Sequence, residues 1–271
     1  MRSIAIINQK GGVGKTTTAV NLSAALADRG KRVCLVDLDP QAHASLHLGT
    51  TLNEGDPSIY QVLVGQQSLA QVRRQVSENL SLVPASIDLA AAEMELAGEV
   101  GRELILRDAM DADGCLWDYL ILDCPPSLGV LTINALTAVE EVFLPLQPHF
   151  LALHGLSKLL RTIDVVAKRL NPKLRLSGVV YCMYESGTRL AAEVTSDVSN
   201  FFDAQQARGT AWSNVTMFQT PIRRNIRLAE APSFGQSIFQ YAASSNGAED
   251  YSALAQEVES SAIQRRHAMA G

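Results

Sequence analysis

With 271 residues, 47% of them hydrophobic and 19% charged, the chain is long enough for one large α/β domain with a substantial core, and no apolar run reaches the roughly eighteen residues of a membrane-spanning helix. The net charge of −5 is divided unevenly, with 10 basic and 18 acidic residues in 1–149 against 13 and 10 in 150–271. That argues against a whole-surface polyanion binder and leaves two readings of the later excess, a local basic face or an uneven spread of solvated charge.

The chain opens MRSIAIIN and runs directly into a glycine-rich loop, so neither a signal peptide nor an N-terminal accessory domain is expected, and the expected compartment is the cytoplasm. Apolar, β-branched runs predict strands over 3–8, 32–39, 80–86, 118–126, 141–148, 176–184 and 214–221. Helical patterns lie between them at 16–28, 89–110, 129–138, 154–170, 189–202 and 247–262, the first ending at Gly30 in a left-handed cap. Strands this uniformly apolar are covered on both faces. The alternation predicts an α/β fold of the P-loop NTPase type, a doubly wound, mostly parallel sheet with helices on both faces, in a single domain over 1–271. Residues 203–213 read as an exposed loop. Cys34, Cys115, Cys124 and Cys182 lack the close pairing of a zinc site and read as buried thiols.

Between the first strand and first helix stands Gln9-Lys10-Gly11-Gly12-Val13-Gly14-Lys15-Thr16-Thr17. Glycines allow the backbone to aim successive N–H groups at phosphate oxygens, and the helix that follows adds the positive end of its dipole. The expected nucleotide contacts are therefore Gly11 to Thr17, with Lys15 reaching the β- and γ-phosphates and the Thr16 hydroxyl on Mg²⁺. Ligands of open α/β sheets bind at the carboxyl edge. Asp123, ending the strand 118–123, is placed there to hold Mg²⁺. Asp39 is read as ending its strand in the same way, with Asp37 on the same side and available to the metal shell.

Gln9 stands where the usual phosphate-loop pattern has glycine, and Lys10 precedes the glycines, giving KGGVGKT. In this the chain resembles the ParA/MinD family of partition and positioning ATPases. The resemblance continues through Asp37-Leu38-Asp39-Pro40-Gln41, Asp123-Cys124-Pro125-Pro126-Ser127, Thr188-Arg189-Leu190, Arg224-Asn225 and Ala231-Pro232-Ser233, nearly the whole chain, and is nearest to the chromosomal branch without an N-terminal DNA-binding extension. It implies an ATPase with ATP and Mg²⁺, slow intrinsic turnover, and an ATP-dependent homodimer in which Lys10 reaches the partner's phosphates. It also implies that Asp39 orients the attacking water, that Met183 and Asn225 lie at the adenine, and that Arg189, Arg223, Arg224 and Arg227 hold double-stranded DNA without sequence preference. A ParB-like or cargo adaptor would stimulate hydrolysis at the nucleoid, with chromosome, plasmid or a protein assembly as cargo.

Departures from the family pattern are Ala42 and His43 after Asp39, Arg223 in place of a proline, and the longer 203–213 segment. His43 and His47 read as exposed polar residues of a helical turn rather than a metal pair. A membrane-surface relative would end in an amphipathic helix, whereas the tail SSAIQRRHAMAG carries only Ile263 and Met269 as larger apolar groups, so no stable membrane insertion is expected. An iron–sulfur ATPase would need a second ligand beside Cys124, and none is evident.

Overall fold

A computed structural model describes residues 1–114, 116–149, 155–204 and 209–270, and the backbone alone over 262–270. Its sheet runs β3-β4-β2-β5-β1-β6-β7-β8, with β9 pairing β7 beyond that path. The strands are β1 (Arg2–Ile6), β2 (Val33–Asp37), β3 (Arg74–Ser77), β4 (Leu80–Val83), β5 (Tyr119–Asp123), β6 (Glu141–Leu146), β7 (Arg175–Tyr184), β8 (Thr216–Met217) and β9 (Ile222–Arg223). All pairings are parallel except β3 with β4.

Strand periodicity divides the core into two layers. Ile4, Ile6, Val33 and Leu35 pack with α1 (Lys15–Asp28) and α12 (Asn246–Ala270) on one face. Their alternates Ala5, Ile7, Cys34 and Val36 pack on the other face with α6 (Ile105–Asp113), α7 (Val130–Ala138), α8 (Leu156–Arg169) and α9 (Arg189–Asp203). Such two-sided burial requires the uniformly apolar strands seen in the sequence. Removing Leu22 or Leu26 from water in α1, both fully buried, contributes about 1.5–3 kcal/mol each.

Several boundaries differ from the sequence expectation. The single helix expected over 89–110 is α5 (Leu89–Glu95), a short 3₁₀ turn and then α6, because Gly98 and Gly101, the latter at φ +74°, interrupt the helical path. β3 has no counterpart among the expected strands; its polar RQVS has no apolar run, and it occupies the sheet edge where alternating exposure suffices. The strand expected over 214–221 is only β8, since Pro221 cannot donate to the ladder and the chain resumes pairing in β9. β2 stops at Asp37, so Asp39 is not a strand end but lies on the turn after it. The helical turn read at His43 and His47 is α2 (His43–His47), and further short helices lie outside the expected ones: α3 (Ile59–Leu63), α4 (Leu69–Val72), α10 (Ile226–Glu230) and α11 (Ile238–Tyr241). Of the predicted loop 203–213, residues 205–208 lie outside the described residues, as does Cys115.

Candidate functional site

Strand register builds the site. β5 lies between β1 and β2, with Ile6 opposite Asp123 and Asp37 opposite Asp123 across the two ladders. The glycine loop leaving β1 therefore starts beside two carboxylates at the carboxyl edge of the sheet. Gly12 (φ +72°) and Gly14 (φ +93°) take left-handed conformations that a side chain would strain. A Cβ on Gly14 would lie in van der Waals contact with Cys182 Cβ and Sγ at 3.4 Å, so the backbone conformation is what calls for glycine there. Gly14 caps α1 without a side-chain bond, leaving the first N–H groups of the helix directed to the loop.

Lys15 is buried at 8% exposure, and its Nζ donates to the Lys10 carbonyl at 3.1 Å. Burial lowers its pKa, while the negative charges of Asp123 and then Asp39 oppose the change. Asp123 is fully buried, and neither of its oxygens has a hydrogen-bond partner. Desolvation, then the neighbouring Asp37, raises its pKa far above the carboxylate range; the adjacent Thr16 hydroxyl offsets part of that rise without completing a hydrogen bond. Asp37 is also fully buried and shifted upward by desolvation, but it accepts from Ser45 N at 2.8 Å, Ser45 Oγ at 2.7 Å and Asp39 N at 3.2 Å. Two desolvated carboxylates, one of them without partners, beside a threonine hydroxyl are a donor set suited to a hard divalent cation such as Mg²⁺. Among the described residues no group of three or more His, Cys, Asp or Glu side chains could hold a metal alone, so phosphate and water would complete such a shell.

Above this floor opens a cleft of about 1020 Å³, ample for a nucleotide. Gly11, Gly12, Gly14, Lys15, Thr16, Thr17 and Asp39 form one wall; Met183, Arg223, Arg224 and Asn225 form another. The described non-glycine residues with positive φ are Ala42 (+52°) and Met183 (+51°), the first between cleft residues and the second on the cleft wall. Backbone strain of this kind concentrates at functional sites. Asn225 caps α10 by accepting from Arg227 N at 2.9 Å. Val13 is buried at 2% exposure and does not line the cleft. Lys10 stays outside the cleft, exposed, with its Nζ against His149 Nε2 of the same chain.

The arginines separate into two kinds. Arg223 grips Asp250 through its backbone N–H at 2.8 Å and its guanidinium at 2.6 and 2.9 Å, and also binds Glu249 at 2.6 Å. Its charge is thus paired within the chain by α12. Arg189, Arg224 and Arg227 are exposed and pair with Glu193, Glu185 and the half-buried Glu230, which also accepts from the Tyr241 hydroxyl at 2.9 Å. The Arg224 N–H donates to the Tyr184 carbonyl at 3.1 Å, fixing Arg224 at the end of β7, five residues before Arg189 opens α9.

Sequence reasoning missed Tyr251, which lines the cleft from α12 and meets the Thr18 hydroxyl at 3.2 Å; no local motif marks it. It also misplaced His47. His43 is exposed on the cleft, but His47 is buried at 2%, with Nε2 unpartnered and its pKa lowered to about 4 by desolvation. The unfolded chain, near the ordinary 6.5, binds more protons than the fold between those two values, so this residue costs stability as pH falls from 6.5 to 4. Compared with His47→Gln, the wild type is expected to lose about 3 kcal/mol more over that window in denaturant titrations. Parallel pH profiles for the two proteins would refute a buried neutral imidazole.

A family model described as an AAA domain matches residues 1–176. The sporulation initiation inhibitor protein Soj of Bacillus subtilis is 46% identical over 256 residues, spanning 94% of this chain and 97% of the relative. The chromosome partitioning protein ParA of Myxococcus xanthus is 43% identical over 258 residues, spanning 95% and 87%. A Mycobacterium smegmatis structure described as cobyrinic acid a,c-diamide synthase with a bound ATP analogue and magnesium superposes with a TM-score of 0.79 at 37% identity, covering 94% of this chain and 93% of that one.

Proposed function

Because the chain belongs to the family of Soj- and ParA-type chromosome-partitioning ATPases, we propose that it uses Mg-ATP to form a homodimer that holds DNA without sequence preference and lets go when an adaptor stimulates hydrolysis. It is an ATPase, with ATP and Mg²⁺ as cofactors. The observation that carries the reading is the cleft itself, in which a KGGVGKT loop, a buried lysine and two desolvated carboxylates converge at the carboxyl edge of the sheet.

In this reading the N–H groups of Gly11 to Thr17 and the Lys15 ammonium orient the β- and γ-phosphates, which needs positioning and charge rather than covalent chemistry. Thr16, Asp37 and Asp123 would hold Mg²⁺, which when bound neutralises charge on the phosphate oxygens. Asp39, at the cleft wall above them, orients the attacking water. Lys10 completes the partner's phosphate site, as an arginine finger does. Met183 and Asn225 flank the adenine. The chain acts as one domain in the cytoplasm at the nucleoid. No helix among the described residues is long and apolar enough to cross a membrane.

Arg189, Arg224 and Arg227 supply the DNA surface, Arg223 being held by α12. Exposed ion pairs to single glutamates contribute little and are exchangeable for phosphates. Arg224→Ala and Arg189→Ala are each expected to leave ATP-induced stabilisation unchanged and to lower retention on random-sequence duplex. The log–log salt slope should fall by about 0.9 for each phosphate that the variant subunit no longer neutralises. A slope equal to wild type in both variants would move the DNA surface elsewhere.

A further inference from the structure

Ser45 is the middle residue of α2, has no place in the phosphate chemistry above, and is 1% exposed. Its hydroxyl accepts from the Ala85 N–H just beyond β4 at 3.1 Å, so its single proton is directed to Asp37 Oδ2 at 2.7 Å. The Ser45 N–H reaches the same oxygen at 2.8 Å. The other oxygen, Oδ1, accepts from Asp39 N at 3.2 Å. The carboxylate is thereby locked in rotation between the loop that carries Asp39 and the start of α2.

The intervening turn has little slack. Ala42 sits at φ +52°, a conformation L-residues avoid, and is held there by its N–H to the Asp39 carbonyl at 2.8 Å and by Leu46 N to its own carbonyl at 2.9 Å. Asp39 itself is pinned on the outer side by Gln41 N on its Oδ1 at 3.0 Å. Any change in how Ser45 holds Asp37 is therefore passed to the turn that aims Asp39 into the cleft.

We propose that Ser45 is a positioning residue for ATP hydrolysis, fixing the Asp37 carboxylate and through it the Asp39 turn, and linking both to the segment after β4. The proposal rests on the ATPase reading of the same cleft. Its distinguishing feature is that Ser45 acts through Asp37, so the two substitutions must not add.

The test compares steady-state hydrolysis and Mg²⁺-titrated, ATP-induced thermal shifts in wild type, Ser45→Ala, Ser45→Thr, Asp37→Asn and the double variant Asp37→Asn/Ser45→Ala. Ser45→Ala is expected to lower kcat about tenfold with KM for ATP within about twofold, the size of one charge-assisted hydrogen bond. Its half-saturating Mg²⁺ in the thermal shift should rise several-fold, and Ser45→Thr, which keeps the hydroxyl, should recover most of both. In the Asp37→Asn background, Ser45→Ala should lower kcat by less than about twofold further. Ser45→Cys, near in volume but a weak donor, serves if Ser45→Ala does not fold, and should show the same kcat decrease and the same non-additivity. Wild-type kcat in Ser45→Ala, or fully additive effects in the double variant, would overturn the role of Ser45 while leaving the ATPase intact. A wild type without any Mg-ATP stabilisation would overturn both together.

Discussion

Lys15→Ala is expected to abolish the ATP-induced thermal shift while leaving the nucleotide-free protein at least as stable as wild type. The two halves have one cause. In the empty cleft, burial lowers the lysine pKa, which means that the charged form is worse solvated there than in the unfolded chain. Removing the ammonium relieves that cost, although Asp123 and Asp39 lose an attractive charge. With ATP bound the balance reverses, because the same ammonium is the full positive charge set within the phosphate loop, and a charge-assisted contact in a low-dielectric site outweighs its neutral counterparts. Ligand at about a thousand times its dissociation constant stabilises a fold by about 4 kcal/mol, so the effect is large on the scale of a melting curve. Differential scanning fluorimetry with and without Mg-ATP reads both. An unchanged ATP shift in the variant would refute the placement of the phosphates on this loop; a large drop in the nucleotide-free melting temperature would show that Lys15 is a structural residue instead.

Lys10→Ala should have the opposite profile: normal ATP binding with assembly and turnover abolished. The side chain stands outside its own cleft, against His149, and what it gives that cleft is its backbone carbonyl, which accepts from Lys15 and survives the substitution. If Lys10 completes the neighbouring subunit's site, its removal takes away a transition-state interaction worth about 10³ or more in turnover, as for an arginine finger. It also halves the arginines presented to one duplex, because the protein remains a monomer. Size-exclusion chromatography with ATP, single-turnover hydrolysis and DNA retention should fail together while the ATP-induced thermal shift persists. Retained dimerisation and turnover would reduce Lys10 to a solvated loop lysine.

How much of this was legible in the sequence depended on whether the determinants are local. The phosphate loop is contiguous, with strand, glycines, lysine and helix in register, and the structure seats Gly11, Gly12 and Gly14 to Thr17 along the cleft. Asp123 at the end of β5 was equally legible, since an apolar run stopping on an acid marks a carboxyl edge. The pairing of Asp37 with Asp123 was not, because β2 and β5 are neighbours only through a crossover of some eighty residues, and the register lies in the sheet, not in either segment. Asp39 reads as a strand end for a similar reason: the apolar-acid alternation of 36–39 looks continuous, while the ladder ends at Asp37. The clamp of Arg223 on Asp250 joins residues 27 apart, and nothing in either neighbourhood signals it. His47 looked like surface because it follows exposed His43 at helical spacing, yet α2 turns that position inward, to 2% exposure beside the Gln236 backbone.

The most direct test of the account is sedimentation velocity of the wild-type protein with Mg-ATP or Mg-ADP, without DNA and with a random-sequence duplex at low and at moderate salt. The account predicts a dimer with ATP and a monomer with ADP. It further predicts co-sedimentation with DNA in the ATP state alone, falling steeply between the two salt concentrations as counterions compete with the arginines for phosphate. A protein that stays monomeric with ATP, or dimerises yet shows no DNA affinity even at low salt, would contradict it.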